Sequence, residues 1–370
     1  MTATSGSRHM AEKKRHLLAG ITARLLLLIA AALLWLSYFS IFVNPAKAWG
    51  MTFFGLLFIP FFLLNAFLLV WALLRGSKAA LIPLVSLLPS LLIFGRFFQF
   101  SHDNPAPGPD DVKIVSYNVG RFAMSGGGDR KACMDSVIRL LQAQDADIIC
   151  LQEFHIQDAA EVRNFFRRHF RGYDLEYYVY PTDKGSYGNV TLSRFPVKSK
   201  GKLDFEESSN LAIYGDYDIH GTRLRVYNCH FQSYNISLPR VAQAFKGDYK
   251  EVFRDTEQRM KTSITLRPRQ VDMVLSDIED CPTAALVAGD FNDNPLSYTY
   301  WRLSRGRKDS FMEAGQGFGA TYSSFRPFLR IDYILYPETL QAISHEVLHV
   351  PYSDHYPIVT ILSAHHEENL

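Results

Sequence analysis

The stretch that decides the fold is Ala288-Gly289-Asp290-Phe291-Asn292, which directly follows the apolar residues Ala284 to Val287. An apolar run that ends in polar residues predicts a buried strand with candidate functional residues at its end. Because alternate side chains of a strand share a face, we expect Asp290 and Asn292 to point the same way and Phe291 to enter the core. A carboxylate beside a neutral donor suits a water to be activated and an anionic oxygen to be held. A Gly-Asp turn after a strand is also common, so the rest of the chain must decide between the two interpretations.

Polar side chains recur at the ends of other apolar, strand-like segments. They are Asn118, Glu153, His230, Asp332 and the pair Asp354-His355. Strand ends converge on one crevice in many sheet-based enzymes, so we expect these side chains to meet. Their oxygen donors suit Mg²⁺, Mn²⁺ or Ca²⁺ rather than zinc, and the two histidines suit an anionic transition state. The chain has neither a Walker-type phosphate loop nor a Gly-x-Ser-x-Gly nucleophile motif.

Composition excludes some classes of protein. The 370 residues carry a formal net charge of +2, so no global basic field indicates a nucleic-acid partner. The four cysteines form no Cys-x-x-Cys pair, which argues against a zinc knuckle or a thioredoxin-type motif. Cys150 and Cys229 lie within apolar runs and are predicted to be small buried hydrophobes, although a disulfide stays open. No feature of the sequence indicates an oligomeric state.

The long apolar runs lie almost entirely before Ser101. Residues 1–16 form a polar and basic N-terminal segment, and residues 17–100 contain three apolar runs, each long enough to cross a bilayer as a helix. The runs are 17–43, 49–74 and 79–100, which predicts three transmembrane helices. The first run could instead be a signal peptide with a cleavage site near Ala46-Lys47-Ala48, but its length favours an uncleaved anchor.

Positive charges near the predicted spans indicate their orientation. The basic N-terminus and the Arg75/Lys78 loop are expected to be cytoplasmic, which places residues 101–370 outside the cytoplasm, in a periplasmic-type location. Arg96, near the end of the third span, argues mildly against this orientation unless it reaches to the interface. Asn65, within the second span, predicts an interhelical hydrogen bond. The expected location is therefore an integral, multi-pass cytoplasmic membrane protein.

A proline-rich linker at 101–111 separates this region from a predicted α/β domain at 112–370. Strands are predicted at 112–118, 147–153, 174–180, 188–197, 224–231, 330–336 and 352–362, and helices near 133–141, 158–169 and 238–278. The last helical segment has an apolar stripe at Val271, Val274, Leu275 and Ile278 and many basic residues between Arg240 and Arg269. The basic residues indicate either a solvated face or a basic lip beside a phosphate or lipid-headgroup site.

The motifs occur in the order of a known family. They are Ser116-Tyr117-Asn118, Leu151-Gln152-Glu153, Gly188-Asn189 through Ser193-Arg194-Phe195-Pro196, Asn228-Cys229-His230, Gly289-Asp290-Phe291-Asn292, Arg330-Ile331-Asp332-Tyr333-Ile334 and Ser353-Asp354-His355-Tyr356-Pro357. On these residues, the chain from Lys113 to Leu362 resembles the endonuclease/exonuclease/phosphatase family, which includes DNase I, AP endonucleases, neutral sphingomyelinases and inositol polyphosphate 5-phosphatases. The resemblance implies a four-layer α/β sandwich of two packed mixed sheets flanked by helices. It covers none of the membrane region.

The resemblance also implies metal-assisted hydrolysis of a phosphoester by in-line attack of water, with Mg²⁺, or else Mn²⁺ or Ca²⁺, as the cofactor. Metal ligands would be Glu153 and Asn118, with Asp354 as a second-site ligand. Asp290 would orient and deprotonate the water, and Asn292 would hold the phosphate.

In the same comparison, His355 would donate to the phosphoryl oxygen or the leaving group, with Asp332 fixing its tautomer. His230 would be a second phosphate donor, and Asn118 would touch metal or phosphate. AP endonucleases place a tyrosine at the position of His230, so the histidine favours the other branches. Its acidic partner is not evident, and Glu176 is the only candidate.

Three functions follow from these expectations. The first is a membrane-tethered phosphodiesterase or phosphatase, whose tether favours a lipid headgroup in the bilayer as substrate, as for a sphingomyelinase or a phospholipase C. The second is an extracytoplasmic DNase I-like nuclease, for which the basic segment would contact nucleic-acid phosphates. The third, a non-catalytic docking module, is disfavoured because every expected catalytic position is filled.

Overall fold

The computed structural model describes residues 3–101, 105–123, 128–234 and 249–364. The helices are α1 (Ala3–Ser40), α2 (Met51–Leu56), α3 (Phe58–Leu74), α4 (Leu81–Leu87), α5 (Ser90–Ile93), α6 (Arg130–Gln144), α7 (Val162–His169), α8 (Tyr249–Glu279), α9 (Tyr298–Ser304) and α10 (Ser310–Ala314). The strands are β1 (Phe98–Gln99), β2 (Val112–Asn118), β3 (Ile148–Ile156), β4 (Asp174–Thr182), β5 (Gly185–Ser193), β6 (Val197–Asp204), β7 (Leu211–Ile219), β8 (Thr222–His230), β9 (Ala284–Asp290), β10 (Arg307–Asp309), β11 (Gly317–Phe318), β12 (Asp332–Pro337), β13 (Leu340–Val347) and β14 (Ile358–Ala364).

Two six-stranded mixed sheets form the α/β part. Their strand orders are β10-β12-β9-β8-β7-β6 and β13-β14-β2-β3-β5-β4. Each sheet has one parallel pair near its centre, β8 with β9 in the first and β2 with β3 in the second. Since parallel strands end at the same edge, each sheet brings two strand ends together at one place.

Alternation along the strands divides the apolar side chains among three cores. One core lies between the sheets and contains Ile114, Val226 and Leu286. Val115, which follows Ile114, enters an outer core under α6 and α7. Val287, which follows Leu286, enters the opposite outer core under α8 and α9. Helices therefore cover both outer faces, and the four-layer sandwich expected from the sequence is confirmed.

Most predicted elements form. The strand at 112–118 has the predicted bounds, and the stripe from Val271 to Ile278 packs on the core beside β9. The predicted strand at 352–362 was wrong in its bounds, because the segment 352–357 is a loop and β14 begins only at Ile358. Strands β6, β7 and β13 are not among the predicted elements. The cysteines are free, and Cys150 and Cys229 are fully buried, as expected of small hydrophobes.

The N-terminal region is helical but more broken than predicted. Two stretches, Gly20–Ser40 and Lys78–Arg96, are long and apolar enough to cross a membrane, while α3 has 17 residues. The third predicted run does not stay helical to residue 100, because Phe98–Gln99 forms β1 and pairs with β11 of the α/β part. Residues 235–248, which include part of the predicted basic segment, lie outside the described residues.

Polar contacts tie the apolar helices to one another. Asn65 is fully buried, donates from Nδ2 to the carbonyl of Ala30 at 2.9 Å, and accepts from Ser86 Oγ at 3.0 Å. The interhelical hydrogen bond expected of Asn65 is therefore present. Such a bond is the usual way in which a polar side chain is tolerated between apolar helices.

The helical region and the α/β part share an interface. Arg96 NH1 donates to the carbonyl of Pro295 at 3.2 Å, and Arg330 NH2 donates to the carbonyl of Arg96 at 3.1 Å. At Gly55, a Cβ atom would collide with the backbone oxygen of Leu296, so only glycine permits this approach. Arg96 therefore points into the α/β part, and the orientation of the helices stays a prediction.

Candidate active site

The ends of β12, β9 and β8 place three polar side chains in one row. Asp332 is the register partner of Asp290 on one side, and His230 is its partner on the other. From the facing sheet, β2 contributes Asn118 at its last residue and β3 contributes Glu153. The loop before β14 adds Asp354 and His355. The sheets thus bring the sequence-predicted residues to one region.

Asp290 is the centre of this group and is 1% exposed. Its Oδ2 accepts hydrogen bonds from Asn118 Nδ2 and Asn292 Nδ2, both at 2.9 Å, and its Oδ1 accepts from the Asn292 backbone N–H at 2.8 Å. Burial raises the pKa of Asp290 to about 6, and the negative charge of Asp332 adds to this, against the lowering effect of His355. A buried carboxylate with such a pKa is suited to accept a proton near neutral pH.

The prediction that Asp290 and Asn292 share a face by strand alternation was wrong in its mechanism. β9 ends at Asp290, and Asn292 adopts φ 51°, in the left-handed region. A turn therefore brings the two side chains together, closed by the Asn292 N–H to the Asp290 carboxylate. Phe291 is fully buried, as expected. Gly289 is required because a Cβ there would collide with the Cys229 carbonyl.

His355 and Asp332 form a buried pair. His355 Nδ1 lies 3.0 Å from Asp332 Oδ2, and His355 Nε2 lies 3.7 Å from Asp290 Oδ2. Burial lowers the pKa of His355, but Asp332 and then Asp290 outweigh it and raise the pKa to about 10. The pairing leaves Nε2 directed towards Asp290 at the centre of the site, and the role of His355 as a proton donor stays a prediction.

A bulge positions Glu153. The register of β3 with β5 shifts between Leu151 and Phe154, and Glu153 has φ 51°. Such backbone conformations are uncommon outside glycine and occur often at functional sites. Burial opposes ionisation of Glu153, but His230, Arg121 and His355 lower its pKa below the ordinary value. Glu153 is therefore held as a carboxylate.

His230 is 6% exposed, and its Nε2 has no hydrogen-bond partner. The nearest carboxylate oxygens, on Glu153 and Asp290, are both 3.7 Å away, beyond hydrogen-bond distance. Glu176 forms no hydrogen bond or ion pair with His230, so the suggested partnership was wrong. Glu176 lies instead near Lys200 and Asp216, which affect its pKa.

Asp354 lies where the loop before β14 comes close to the backbone at the end of β2. Its Oδ1 accepts from Ser353 Oγ at 3.3 Å, and the same hydroxyl donates to the carbonyl of Asn118 at 2.9 Å. Gly120 has φ +52°, and a Cβ there would come within 2.8 Å of Ser353 Oγ. Ser353 thus joins the Asp354 loop to the end of β2.

The donor set fits a divalent cation. Glu153 is ionised, and Glu153 and Asp354 are hard oxygen donors. The amide oxygen of Asn118 is a third donor of this type and accepts from the Gly120 N–H at 3.0 Å. Among the described residues, Asp290, Asp332 and His355 also have ligand atoms within 4.8 Å of one another. In that cluster, however, Asp332 is already paired with His355 Nδ1. The cation ligands predicted from the sequence therefore stay Glu153, Asn118 and Asp354.

Two arginines at the site were not predicted to belong to it. Arg121 Nε lies 3.1 Å from Glu153 Oε2, and its guanidinium stacks on the ring of Tyr187 at 4.3 Å. Arg267 is 1% exposed and pairs at 2.8 Å with Asp293, which directly follows the Asp290–Asn292 turn. Arg267 belongs to the predicted basic segment, but at this position the basic side chain is buried and pairs with a residue beside the site. The contact depends on tertiary packing, so the local sequence could not predict it.

Comparison with known proteins agrees with the geometry. The endonuclease/exonuclease/phosphatase family model matches residues 115–355, more than half of the chain, and a domain of unknown function matches residues 19–97. No curated protein matches the chain. Members of the matched family are usually hydrolases of phosphoesters and generally use a divalent metal.

Solved structures show the same fold. An endonuclease/exonuclease/phosphatase from Beutenbergia cavernae is 18% identical with a TM-score of 0.51, covering 69% of this chain and 72% of its own. A family protein from Leptotrichia buccalis is 16% identical with a TM-score of 0.51, covering 69% and 100%. The human Nocturnin catalytic domain with bound sulfate is 17% identical with a TM-score of 0.50, covering 69% and 94%. With the motifs, the sandwich and the family match in agreement, the chain belongs to the endonuclease/exonuclease/phosphatase family.

Proposed function

We propose that this chain is a membrane-anchored, divalent-metal-dependent phosphoesterase that hydrolyses phosphodiester or phosphomonoester bonds with activated water, and that its preferred substrate is a lipid headgroup. The observation that carries the proposal is the arrangement around Asp290. A buried carboxylate with a raised pKa faces a protonated histidine, and both lie beside the ionised Glu153.

Each residue has a role that its contacts support. Asp290 accepts the proton of the attacking water, and Asn118 and Asn292 hold the carboxylate in place with hydrogen bonds to it. His355, fixed by Asp332, donates from Nε2 towards the phosphoryl oxygen or the leaving group. The buried Nε2 of His230 donates to the phosphate.

Glu153, Asn118 and Asp354 would hold the divalent cation, Mg²⁺ or else Mn²⁺ or Ca²⁺. When bound there, the cation supplies positive charge that stabilises the phosphoryl group as negative charge develops. Asn118 and Asn292 also contact the substrate phosphate in this proposal.

The membrane assignment rests on the helices. α1, α2 with α3, and α4 with α5 would make three crossings, and the ends near Asn44 and Arg96 contact the α/β part. The Arg75/Lys78 loop lies at the other end of α3. Positive charge near that loop favours a cytoplasmic position, which places the catalytic domain on the opposite, extracytoplasmic side.

The alternative is an extracytoplasmic nuclease of the DNase I type. The described part of the basic segment gives it little support, because Arg267 is buried and Arg259 pairs with Asp255 at 3.0 Å on the same helix. A non-catalytic docking module is disfavoured further, since all eight predicted site residues lie in one region.

The test measures two reactions in parallel. Full-length protein in mixed-lipid liposomes is assayed for release of phosphate or headgroup, and plasmid DNA is assayed for cleavage. Each reaction is run with Mg²⁺, Mn²⁺ and Ca²⁺, and EDTA and Asp290→Asn serve as controls. We expect lipid turnover that both controls abolish. DNA cleavage without lipid turnover would replace the proposal by the nuclease, and inactivity of metal-loaded protein on both would contradict the lipid assignment.

A further inference from the structure

The catalytic group borders a cavity of about 630 Å³, which is lined by Asp290, Asn292 and His355 among others. Much of its apolar lining comes from the helical region, namely from Leu56, Leu57, Ile59, Pro60, Leu63 and Phe97. A single cavity therefore joins phosphoester chemistry to the surface of a candidate membrane helix.

One face of α3 packs in the helical bundle, and another face lines the cavity. Phe58 and Asn65 are buried in the bundle, with 4% and 0% exposure. Leu57 and Leu63 point to the other side and are 44% and 55% exposed. Apolar side chains beside a site that handles phosphate have no role in binding the phosphate itself, so they indicate an apolar part of the ligand.

The apolar wall is fixed relative to the catalytic residues. Asn294, two residues after Asn292, donates from Nδ2 to the carbonyl of Gly55 at 3.0 Å. Leu296 packs against the same glycine, whose missing side chain permits the contact. The loop that follows the Asp290–Asn292 turn thus contacts the end of α2, directly before the cavity-lining helix α3, and the wall is part of the built site.

Exposed aromatic residues mark the boundary where the cavity meets the helical region. Phe98 of β1 contacts Phe318 of β11 with ring centroids 5.0 Å apart, and Phe318 contacts Phe328 at 5.7 Å. Phe100 and Phe328 are 73% and 43% exposed, and Phe328 also lines the cavity. Phe328 therefore continues the apolar lining of the cavity from the helical region onto the α/β part.

We propose that the α3 wall of this cavity is a binding subsite for one hydrocarbon chain of an amphiphilic phosphoester supplied by the bilayer. The phosphate lies at the Asp290–His355 end, and the chain lies along Leu57, Ile59 and Leu63. The helical region is then part of the substrate site as well as an anchor. From Leu57 to Leu63 the helix rises by about 9 Å, which sets the length of chain that this wall can cover. The inference rests on the proposed phosphoesterase function and names a part of its substrate.

The test compares esters that differ only in chain length. Full-length protein in phosphatidylcholine vesicles is given ethyl, butyl and octyl 4-nitrophenyl phosphates, and release of 4-nitrophenol is followed. Burial of each methylene should strengthen binding by about fourfold until the wall is covered, so KM should fall with chain length while kcat changes little.

Two variants on one helix supply the control. Leu63→Trp fills the apolar end of the cavity and should raise KM for the octyl ester by at least about tenfold, with little change for the ethyl ester. Leu73→Trp adds the same bulk at the far end of α3, where residue 73 is 61% exposed and does not line the cavity. It should behave as the wild type with both esters.

The outcomes separate this inference from the function on which it rests. Cleavage of all esters with no preference for length, or an equal loss on ethyl and octyl esters in Leu63→Trp, would overturn the chain subsite and leave the phosphoesterase. Failure of metal-loaded wild-type protein to cleave any ester would overturn the phosphoesterase, and the subsite with it. The wild-type chain-length series needs no variant, so it decides the question even if Leu63→Trp does not fold.

Discussion

Asp290 is a buried carboxylate whose charge destabilises the fold while its proposed role as a base requires that charge. It is buried next to Asp332 across the strand pair, and its charge is offset by two amides and two histidines. Removing its negative charge should relieve that repulsion while it removes the base.

Asp290→Asn should lower the rate of phosphoester hydrolysis by about 10²–10⁴-fold, because the amide cannot accept the proton of the attacking water. The thermal unfolding midpoint should be unchanged or higher, since a buried charge is gone. Initial rates and unfolding curves, measured on the same preparation, check both parts. A variant that loses activity only as far as it loses folded protein would contradict the role of Asp290.

Glu176 offers a separate prediction outside the site. Burial raises its pKa to about 8, Lys200 opposes the rise and Asp216 adds to it, and Oε2 has no hydrogen-bond partner. Because the folded-state pKa lies above the unfolded value, its contribution to stability is complete below about pH 4 and is lost as the pH rises through about 8. Glu176→Gln should therefore unfold at a higher temperature than the wild type at pH 9.

The same comparison at pH 5 should show a much smaller difference, because both side chains are then neutral in the folded state. Thermal unfolding curves at the two pH values provide the measurement. An equal shift at both would show that the effect of the substitution is packing rather than ionisation.

At this scale the structure brings the eight residues that the sequence singled out into one region, and their roles stay predictions. Asn118, His230 and Asp290 could be found because each is the last residue of an apolar strand. The sequence did not predict that Arg121 pairs with Glu153, or that Arg267 pairs with Asp293. Those contacts join segments that are far apart in the chain and depend on tertiary packing. The suggested Glu176–His230 pair failed for the same reason.

The elements show which features local patterns can and cannot predict. β2 was predictable because it is a nearly continuous apolar run, and α7 was predictable because its apolar residues recur at helical spacing. β13 and the break between α2 and α3 were not, since strand pairing and interhelical packing decide them. The bulge that turns Glu153 inward is likewise a property of the β3–β5 pair.

The contact at Gly55 is the element-scale feature that joins the two parts of the molecule. Gly55→Val would place side-chain atoms against the Leu296 backbone and Ser40 Oγ, so we expect a loss of about 1–3 kcal/mol of stability. Catalytic activity should fall as well, because Leu296 belongs to the loop that follows the Asp290–Asn292 turn. Thermal unfolding and ester hydrolysis in detergent check the two effects.

Gly20→Ala is the matched control, since a Cβ at residue 20 meets nothing within 4 Å and the position is helical. It should leave activity unchanged and stabilise α1 slightly, by up to about 1 kcal/mol. Equal behaviour of the two variants would show that the close approach at Gly55 does not matter.

For the whole molecule, the sequence predicted a four-layer sandwich behind a helical membrane region, and the sandwich is present. It did not predict that the two would share a hydrophobic cluster, which contains Leu34, Phe58, Phe97 and Leu296. Each of these residues had an adequate explanation within its own region. Only the docking of the regions shows that they pack together.

Metal removal is a prediction for the whole enzyme. EDTA should abolish hydrolysis of both lipid and nitrophenyl esters, and Mg²⁺ or Mn²⁺ should restore it, because the predicted ligands Glu153, Asn118 and Asp354 are hard oxygen donors. Glu153→Gln should need a higher metal concentration for half-maximal rate. Full activity in EDTA after dialysis would contradict a metal-dependent reaction.

The loop from Asn294 to Leu296 connects the site mechanically to the helical region. It follows the Asp290–Asn292 turn and contacts Gly55 of α2, directly before the helix α3 that borders the cavity. If the helical region crosses a bilayer as proposed, a change in helix tilt caused by hydrophobic mismatch would displace the Asp290–Asn292 turn through this contact. Turnover should therefore depend on bilayer thickness, with an optimum among vesicles of short-, medium- and long-chain phosphatidylcholines, so that the thickness of the surrounding membrane would regulate the enzyme.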